Sequence, residues 1–297
     1  MTDSLALPLP QSPEFARACA ALNLPLRLLK REQRQKETLR WQVQSRRMGF
    51  LGRVDLVSRG PVANDPEALE DWVRRWHHWH DGCPLILNAD GIPSQVLRDG
   101  GFWPLMTPAS LGILRLRSAA EMRIGLRQKW RNRLNRAERT GITVRRTDLV
   151  PGHWVLAAET EQARAKRYRG LPPSFAVAFG QANPGMAQVY EAMLDERLLA
   201  AAVVLRHGRM ATWQMGQSTA GGKRLNAMNA VLWEAMRDLA SRGHDRLDLG
   251  ILNAQDAPGL TRFKLGTGAE VHRLGGTWLH LGCLAPVARW LPRRLCA

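Results

Sequence analysis

Apolar and polar residues in the second half of the chain follow two different periods. Two apolar runs at residues 198–205 and 210–216, separated by a turn at 207–208, predict a pair of strands. After a glycine-bearing loop, the apolar spacing becomes helical and persists until the stop signal at 242–243. The residues that carry this helical spacing are Met228, Leu232, Ala235 and Leu239. The pattern predicts strand, strand, loop and helix in this order.

The segment after this helix completes the unit. A short alternating run at 246–250 predicts a buried strand. A polar loop at 253–259 follows, and then residues 260–266, which include a phenylalanine and a lysine. We therefore look for functional residues in the stretch 225–268 and in the two strands before it.

The first half of the chain repeats this order of elements. The predicted elements are a short helix at 13–21, strands at 39–45 and 52–57, a helix at 66–79, a strand at 84–88, a short helix at 93–98 and a strand at 112–117. Three tryptophans, Trp72, Trp76 and Trp79, share one face of the helix at 66–79. The sequence therefore predicts two related α/β halves, each with a mixed sheet flanked by helices.

The most basic segment of the chain connects these halves. The pattern predicts one helix over 118–140, with a single apolar stripe formed by Met122, Leu126, Trp130, Leu134 and Ala137. Its basic residues are Arg123, Arg127, Lys129, Arg131, Arg133, Arg136 and Arg139, against two glutamates. Since phosphate contacts depend on charge density, we expect Arg127, Arg131 and Arg133 to contact phosphate; a solvated face is the alternative.

The charge of the whole chain points in the same direction. Its 43 lysines and arginines exceed its 26 acidic residues, for a net charge of +17. Such an excess favours a polyanionic partner such as nucleic acid, an anionic membrane surface or a phosphorylated substrate, although solubilising charge is an alternative.

No apolar run is long enough to cross a membrane, and the start of the chain lacks a signal-peptide pattern. We therefore expect a cytoplasmic protein, located freely or at the inner face of the membrane. The segment 279–297 is interpreted as a packing tail, with contact to a lipid surface as the alternative. The four cysteines, Cys19, Cys83, Cys283 and Cys296, are widely spaced, which favours reduced thiols.

Several short motifs resemble the FemAB-type branch of the GNAT acyltransferase superfamily, which is related to BioF2-like acetyltransferase domains. The matching motifs are RGPV at 59–62, GGF at 100–102, LRL at 114–116, NRAERTGITV at 135–144, ASRG at 240–243, LDLG at 247–250 and LTRFKLG at 260–266. Each motif alone is weak, but their common order over residues 40–280 is moderately specific.

The resemblance implies two tandem GNAT-like domains, at 1–117 and 118–281, followed by a tail at 282–297. It also implies transfer of an aminoacyl group from charged tRNA to an amine, on a cell-wall or lipid-linked precursor, whereas sister groups use acyl-CoA. The family associates its Phe-Lys pair with aminoacyl transfer, and this pair falls on Phe263 and Lys264. Arg59, in the first motif, is the candidate acceptor-binding residue.

In a GNAT core two middle strands splay apart, the acyl arm lies between them, and its phosphates meet the following helix. The corresponding turn here is 217–224, whose candidate donor-binding residues are Gln217, Gly221, Gly222, Lys223 and Arg224. The glycines do not match the usual CoA-binding spacing, which favours a tRNA ester over CoA. A turn without a ligand is the alternative.

Acyl transfer to an amine needs an oriented nucleophile and a donor for the developing oxyanion. Lys264 is the candidate for this donor, or for neutralising a tRNA phosphate; a surface lysine at the start of a helix is the alternative. Asp248 is the candidate for orienting the amine, with a turn-forming role as the alternative. No Ser-His-Asp or Cys-His set is evident, which favours direct attack.

Two further readings of the residues stay open. His77, His78 and His80 with Cys83 resemble a metal cluster, but a structural role beside the tryptophans is favoured, and no metal is expected. A non-catalytic, nucleic-acid-binding protein on a degenerate GNAT scaffold is the alternative to an enzyme. The two differ at Lys264, because only an enzyme needs this lysine inside the cleft.

Overall fold

The computed structural model describes residues 6–24, 26–33, 36–49, 52–76, 82–168, 170–288 and 290. The helices are α1 (Pro13–Ala21), α2 (Pro66–Arg74), α3 (Ser94–Asp99), α4 (Ala119–Gly125), α5 (Gln128–Arg139), α6 (Trp154–Lys166), α7 (Pro173–Ala182), α8 (Ala220–Arg224), α9 (Ala227–Ser241), α10 (Pro258–Gly266) and α11 (Ala285–Ala288). The strands are β1 (Leu26–Gln33), β2 (Lys36–Arg47), β3 (Arg53–Ser58), β4 (Val62–Ala63), β5 (Leu85–Ala89), β6 (Phe102–Met106), β7 (Ser110–Arg115), β8 (Thr143–Asp148), β9 (Ala187–Leu194), β10 (Arg197–His207), β11 (Met210–Ser218), β12 (Arg246–Ile251), β13 (Glu270–Arg273) and β14 (Gly276–His280).

The chain divides into two compact units, each built on a mixed sheet with flanking helices, as predicted. Unit 1 comprises Met1–Ser110 and Arg273–Ala297, and unit 2 comprises Leu111–His272. These boundaries differ from the predicted ones at 117/118 and 281/282. The difference arises because β14 pairs with β5 and β6 in the sheet of unit 1, whereas β7 pairs with β12 in the sheet of unit 2. Neither of these pairings between distant segments can be predicted from the local pattern of apolar and polar residues.

Unit 1 is a sheet of order β1-β2-β3-β5-β14-β6 with β4 on β2. Asp65 caps α2, since its side chain accepts the Glu67 amide, and Pro66 occupies the first turn of the helix. The helix ends at Arg74, and Trp72 within it and Trp76 after it are both buried, at 1% and 2% exposed. Residues 77–80, including Trp79 and the three histidines, lie outside the described residues, as do 289 and 291–297 of the tail.

Unit 2 is a sheet of order β13-β7-β12-β11-β10-β9-β8. Helix α9 packs against β9, β10 and β11 through the predicted apolar face, and Leu232, Ala235 and Leu239 are fully buried. Helix α6 contacts β11, and helix α7 contacts β9. The central pair, β11 and β12, is parallel, and this pair positions the site described below.

The prediction of one helix over 118–140 is wrong, because the segment forms two helices that join at Leu126 and Arg127. The first begins with a capping box between Ser118 and Glu121, which explains its predicted start. At the break, the Arg127 amide donates to the Gly266 carbonyl at 3.0 Å, so α10 satisfies a backbone group that a continuous helix would use. The predicted apolar stripe is nevertheless buried on both helices, which pack within unit 2 and do not form a separate linker.

Candidate active site

The central strands of unit 2 separate after a short parallel ladder. Their pairing runs from Met210 beside Arg246 to Thr212 beside Asp248 and stops there, although β11 continues to Ser218. On its other edge β11 stays paired with β10, with an extra residue, Gln214, at a bulge. The second half of β11 therefore has an edge facing β12 without a ladder partner.

Lys264 reaches into this split between the strands. It lies in the last turn of α10 and is 7% exposed, so the alternative of a surface lysine at a helix start is wrong. Its Nζ donates to the Ile251 carbonyl of β12 at 2.8 Å and lies 6.0 Å from the ring centroid of Trp213 on β11. Burial lowers the pKa of Lys264 from 10.5 to about 8, and the nearby Asp248 carboxylate opposes this decrease.

Asp248 shapes the β12 side of the split. Its Oδ1 accepts the Gly250 amide at 2.7 Å, where Gly250 has a positive φ and the pairing of β12 with β7 shifts by one residue. The carboxylate is thus a turn-forming group that also faces the Lys264 ammonium. It is 3% exposed.

Phe263 packs against two tryptophan rings beside Lys264. Its ring lies 5.9 Å from Trp130 on α5 and 6.0 Å from Trp213, between centroids. Gly266 fits against the same Trp130 ring, since a Cβ there would approach it to 2.6 Å. These contacts fix α10 relative to α5 and β11, and so they fix the direction of Lys264.

The open edge of β11 offers a backbone donor. The Thr219 amide donates to the Leu199 carbonyl of β10 at 2.9 Å, and the register from Ser218 back to Met215 is unbroken. In an antiparallel ladder, the N–H and C=O of one residue point to the same edge, and successive residues alternate between the two edges. The amides of Gln217 and Met215 therefore face β10, as that of Thr219 does, and the Gly216 amide faces the split.

The turn 217–224 is ordered by contacts within the protein. Thr219 caps α8 by accepting the Gly222 amide at 3.0 Å. A Cβ at Gly222 would lie 2.0 Å from the Leu199 carbonyl oxygen, whereas at Gly221 it would meet nothing closer than 3.7 Å. Gly222 is therefore required for packing against β10, which is a sufficient reason for a glycine without any ligand. Lys223 and Arg224 are exposed.

The remaining predicted residues belong to elements other than β11, β12 and α10. Arg127 and Arg133 are exposed at and beyond the start of α5, and Arg131 is half-buried and donates to the Leu126 carbonyl at 3.3 Å. Arg59 belongs to unit 1, where its Nε lies 3.4 Å from Asp90. Within the described ranges, no cluster of three metal-ligating side chains occurs.

Three residues near the split, Trp213, Glu159 and Tyr168, were not predicted from the sequence. Gln217 donates to Glu159 of α6 at 3.1 Å, and the Tyr168 hydroxyl donates to the same carboxylate at 2.6 Å. The apolar residues of α6 do not follow a clean helical period, so the contact of Glu159 with β11 could not be predicted from local pattern. Trp213 falls inside a predicted strand, and only its bulged pairing directs it to the split.

These features match a known family. A model of the acetyltransferase (GNAT) domain matches residues 125–273, the part of the chain that carries the strand split. The chain belongs to the GNAT acetyltransferase family. It is an acyltransferase, and the predicted membership of the GNAT superfamily is confirmed.

Solved structures share the fold of nearly the whole chain. FemX is 14% identical and has a TM-score of 0.74, with 92% of each chain covered. The C-terminal domain of a putative lysylphosphatidylglycerol synthetase from Agrobacterium fabrum is 16% identical, with a TM-score of 0.55 over 94% of this chain and 91% of that one. L-PGS from Bacillus licheniformis is 14% identical, with a TM-score of 0.52 over 98% of each chain. No curated protein sequence matches significantly.

None of the described helices is long and apolar enough to cross a membrane.

Proposed function

We propose that this GNAT protein transfers an aminoacyl group from a charged tRNA to a primary amine of a cell-wall or lipid-linked precursor. The observation that carries the proposal is the position of Lys264, whose ammonium lies between the separated strands β11 and β12. The FemAB-type resemblance, in which a Phe-Lys pair serves aminoacyl transfer, supports the same donor. A lysine aimed into the split also argues against a non-catalytic scaffold.

In the proposed reaction, the amine nitrogen attacks the ester carbonyl carbon directly. An ammonium has three N–H donors, and one of those on Lys264 goes to Ile251. Another stabilises the oxyanion that develops on the carbonyl, and the Gly216 amide provides a second donor. As the intermediate collapses, the C–O bond to the ribose breaks and its electron pair leaves with that oxygen, which takes a proton.

The tRNA is held by charge in this proposal. Helix α5 places Lys129, Arg133 and Arg136 on one flank at i, i+4 and i+7, and all three are exposed. Among the residues that the structure describes, none of the three has a carboxylate within ion-pair distance. Arg123 differs, because it pairs with Glu138 at 2.7 Å and stacks over Trp233. An unpaired cationic flank suits a phosphate backbone.

Acyl-CoA is the second candidate donor, because the matching family model is that of an acetyltransferase domain. A side-by-side assay separates the two donors. The purified protein is incubated with a primary amine and either charged tRNA or acyl-CoA, with uncharged tRNA as the control. We expect amide formation from charged tRNA and only background from acyl-CoA. Product from acyl-CoA alone would overturn the tRNA proposal and leave the second candidate.

A further inference from the structure

Glu159 holds a half-buried carboxylate over the unpaired part of β11. Its Oε2 accepts from Gln217 of β11 at 3.1 Å, and its Oε1 accepts from the Tyr168 hydroxyl at 2.6 Å. Gln214, at the bulge, reaches the same connection by donating to the Leu171 carbonyl at 3.5 Å. Helix α6 and the chain after it are thus anchored to the strand segment that borders the split.

The charge of Glu159 is not compensated by a cation. Other shielded carboxylates of unit 2 have cationic partners: Glu191 pairs with Arg145 at 2.8 Å, Asp238 pairs with Arg242 at 2.9 Å, and Asp248 interacts with Lys264. Glu159 has only neutral donors, and within the described part of the chain no lysine, arginine or histidine lies within ion-pair distance of it. In a chain of net charge +17, such a carboxylate is suited to a cationic ligand.

The position of Glu159 relates it to the proposed oxyanion donor. Gln217 directly follows Gly216, so the two residues lie roughly 3.3 Å apart along β11. The carboxylate bound to Gln217 is therefore close to the edge where the Gly216 amide faces the split. An acyl carbonyl bound by that amide would have Glu159 beside the path of an incoming amine.

We infer that Glu159 binds the acceptor as its primary ammonium ion and accepts one proton from it, which generates the neutral amine that attacks the donor. The inference rests on the proposed function. The ammonium R–NH₃⁺ gives a proton to the carboxylate, and the lone pair freed on nitrogen forms the N–C bond. The intermediate then loses the ribose oxygen with its bonding electrons, and a second amine proton passes to that oxygen.

Tyr168 positions this carboxylate. Burial raises the pKa of its phenol, and the neighbouring Glu159 carboxylate raises it further. The hydroxyl therefore stays protonated and donates to Oε1. Since Tyr168 and Gln217 each occupy one oxygen, the remaining lone pairs of the carboxylate are the ones left for an ammonium.

The test compares Glu159→Gln with Glu161→Gln, an identical change at an exposed position of the same helix. Cadaverine presents a primary ammonium, and hydroxylamine is an uncharged nucleophile at neutral pH. With whichever donor the wild type accepts, we expect Glu159→Gln to lower kcat/KM for cadaverine at least tenfold. With hydroxylamine, the kcat/KM of Glu159→Gln should stay within twofold of the wild-type value. Glu161→Gln should match wild type with both, and all three proteins should share one melting temperature.

An equal loss with both nucleophiles would assign Glu159 a merely structural role and overturn the inference, and so would no loss with either. Calorimetric titration of cadaverine into each protein gives a readout independent of turnover, in which Glu159→Gln should bind at least tenfold more weakly than wild type. Transfer from acyl-CoA but not from charged tRNA would contradict the proposed function and leave the inference about Glu159 testable. Equal cadaverine binding by wild type and Glu159→Gln would contradict the inference alone.

Discussion

Lys264 is buried, yet its proposed role requires a positive charge. A buried ammonium loses hydration, which lowers its pKa to about 8, yet it keeps the Ile251 carbonyl as a partner and Asp248 as a counter-charge. Oxyanion stabilisation needs the protonated form. Transfer activity should therefore fall as the pH rises through about 8, and the same titration should be visible in stability.

The stability prediction follows from the direction of the shift. In the unfolded chain Lys264 titrates near its ordinary value of 10.5, so between pH 8 and 10.5 the unfolded state binds more protons. The free energy of unfolding of the wild type should therefore increase with pH in this window. We expect the difference between wild type and Lys264→Met, measured by urea unfolding, to rise by roughly 1–3 kcal/mol from pH 8 to 10.5. A constant difference would mean that Lys264 is solvated.

Asp248 offers a second prediction at the same scale. Asp248→Asn keeps an oxygen that can accept the Gly250 amide but removes the negative charge beside Lys264. The pKa of Lys264 should then decrease further, so that activity is lost at a lower pH than in the wild type. Asp248→Ala should in addition lower the melting temperature, because the Gly250 amide loses its partner. An unshifted pH profile in Asp248→Asn would remove Asp248 from the electrostatics of the site.

At the scale of elements, the local pattern of apolar and polar residues predicted individual helices and strands better than the way they pack together. The helix at 13–21 and the core strands β10, β11 and β12 follow from spacing and turn residues, and the structure confirms them. The break at Leu126 could not be predicted, because its cause is the approach of Gly266, far along the chain. Phe263 and Lys264 came from the motif resemblance, whereas Glu159 depends on a contact between α6 and β11 that no local pattern encodes.

The glycine pair at the start of α8 gives a prediction for this scale. A methyl group at Gly222 would collide with the Leu199 carbonyl, whereas at Gly221 it fits. Gly222→Ala should therefore destabilise the protein by about 1–3 kcal/mol or more, because the backbone of α8 must move from β10. Gly221→Ala, the matched control, should be within about 1 kcal/mol of wild type. Equal stability of both variants would contradict the packing role of Gly222.

At the scale of the whole molecule, net charge is the property that composition predicts most directly. A charge of +17 specifies the sign of a partner but not its identity. Among the described residues, three-dimensional structure adds one place where exposed cations without an ion-pair partner lie together, which is the flank of α5 with Lys129, Arg133 and Arg136.

Replacing Arg133 and Arg136 by alanine should weaken tRNA binding and reduce its salt dependence. If each contacts one phosphate, the slope of log K against log salt should decrease in magnitude by roughly one per residue. The control replaces Arg164 and Arg197, two exposed arginines outside α5, and removes the same charge. Fluorescence titrations of tRNA at several salt concentrations provide both slopes. Equal slopes for the two double variants would indicate that α5 is only a solvated face.

The central claim is that Lys264, held between β11 and β12, stabilises the transition state of aminoacyl transfer. The most direct measurement is the single-turnover rate of Lys264→Met with saturating charged tRNA and a primary amine. We expect a rate about two to three orders of magnitude below wild type, comparable to the loss of an oxyanion-hole donor. A rate equal to wild type at both low and saturating donor would contradict it. A defect that saturating donor abolishes would also do so, because Lys264 would then serve only to bind the tRNA.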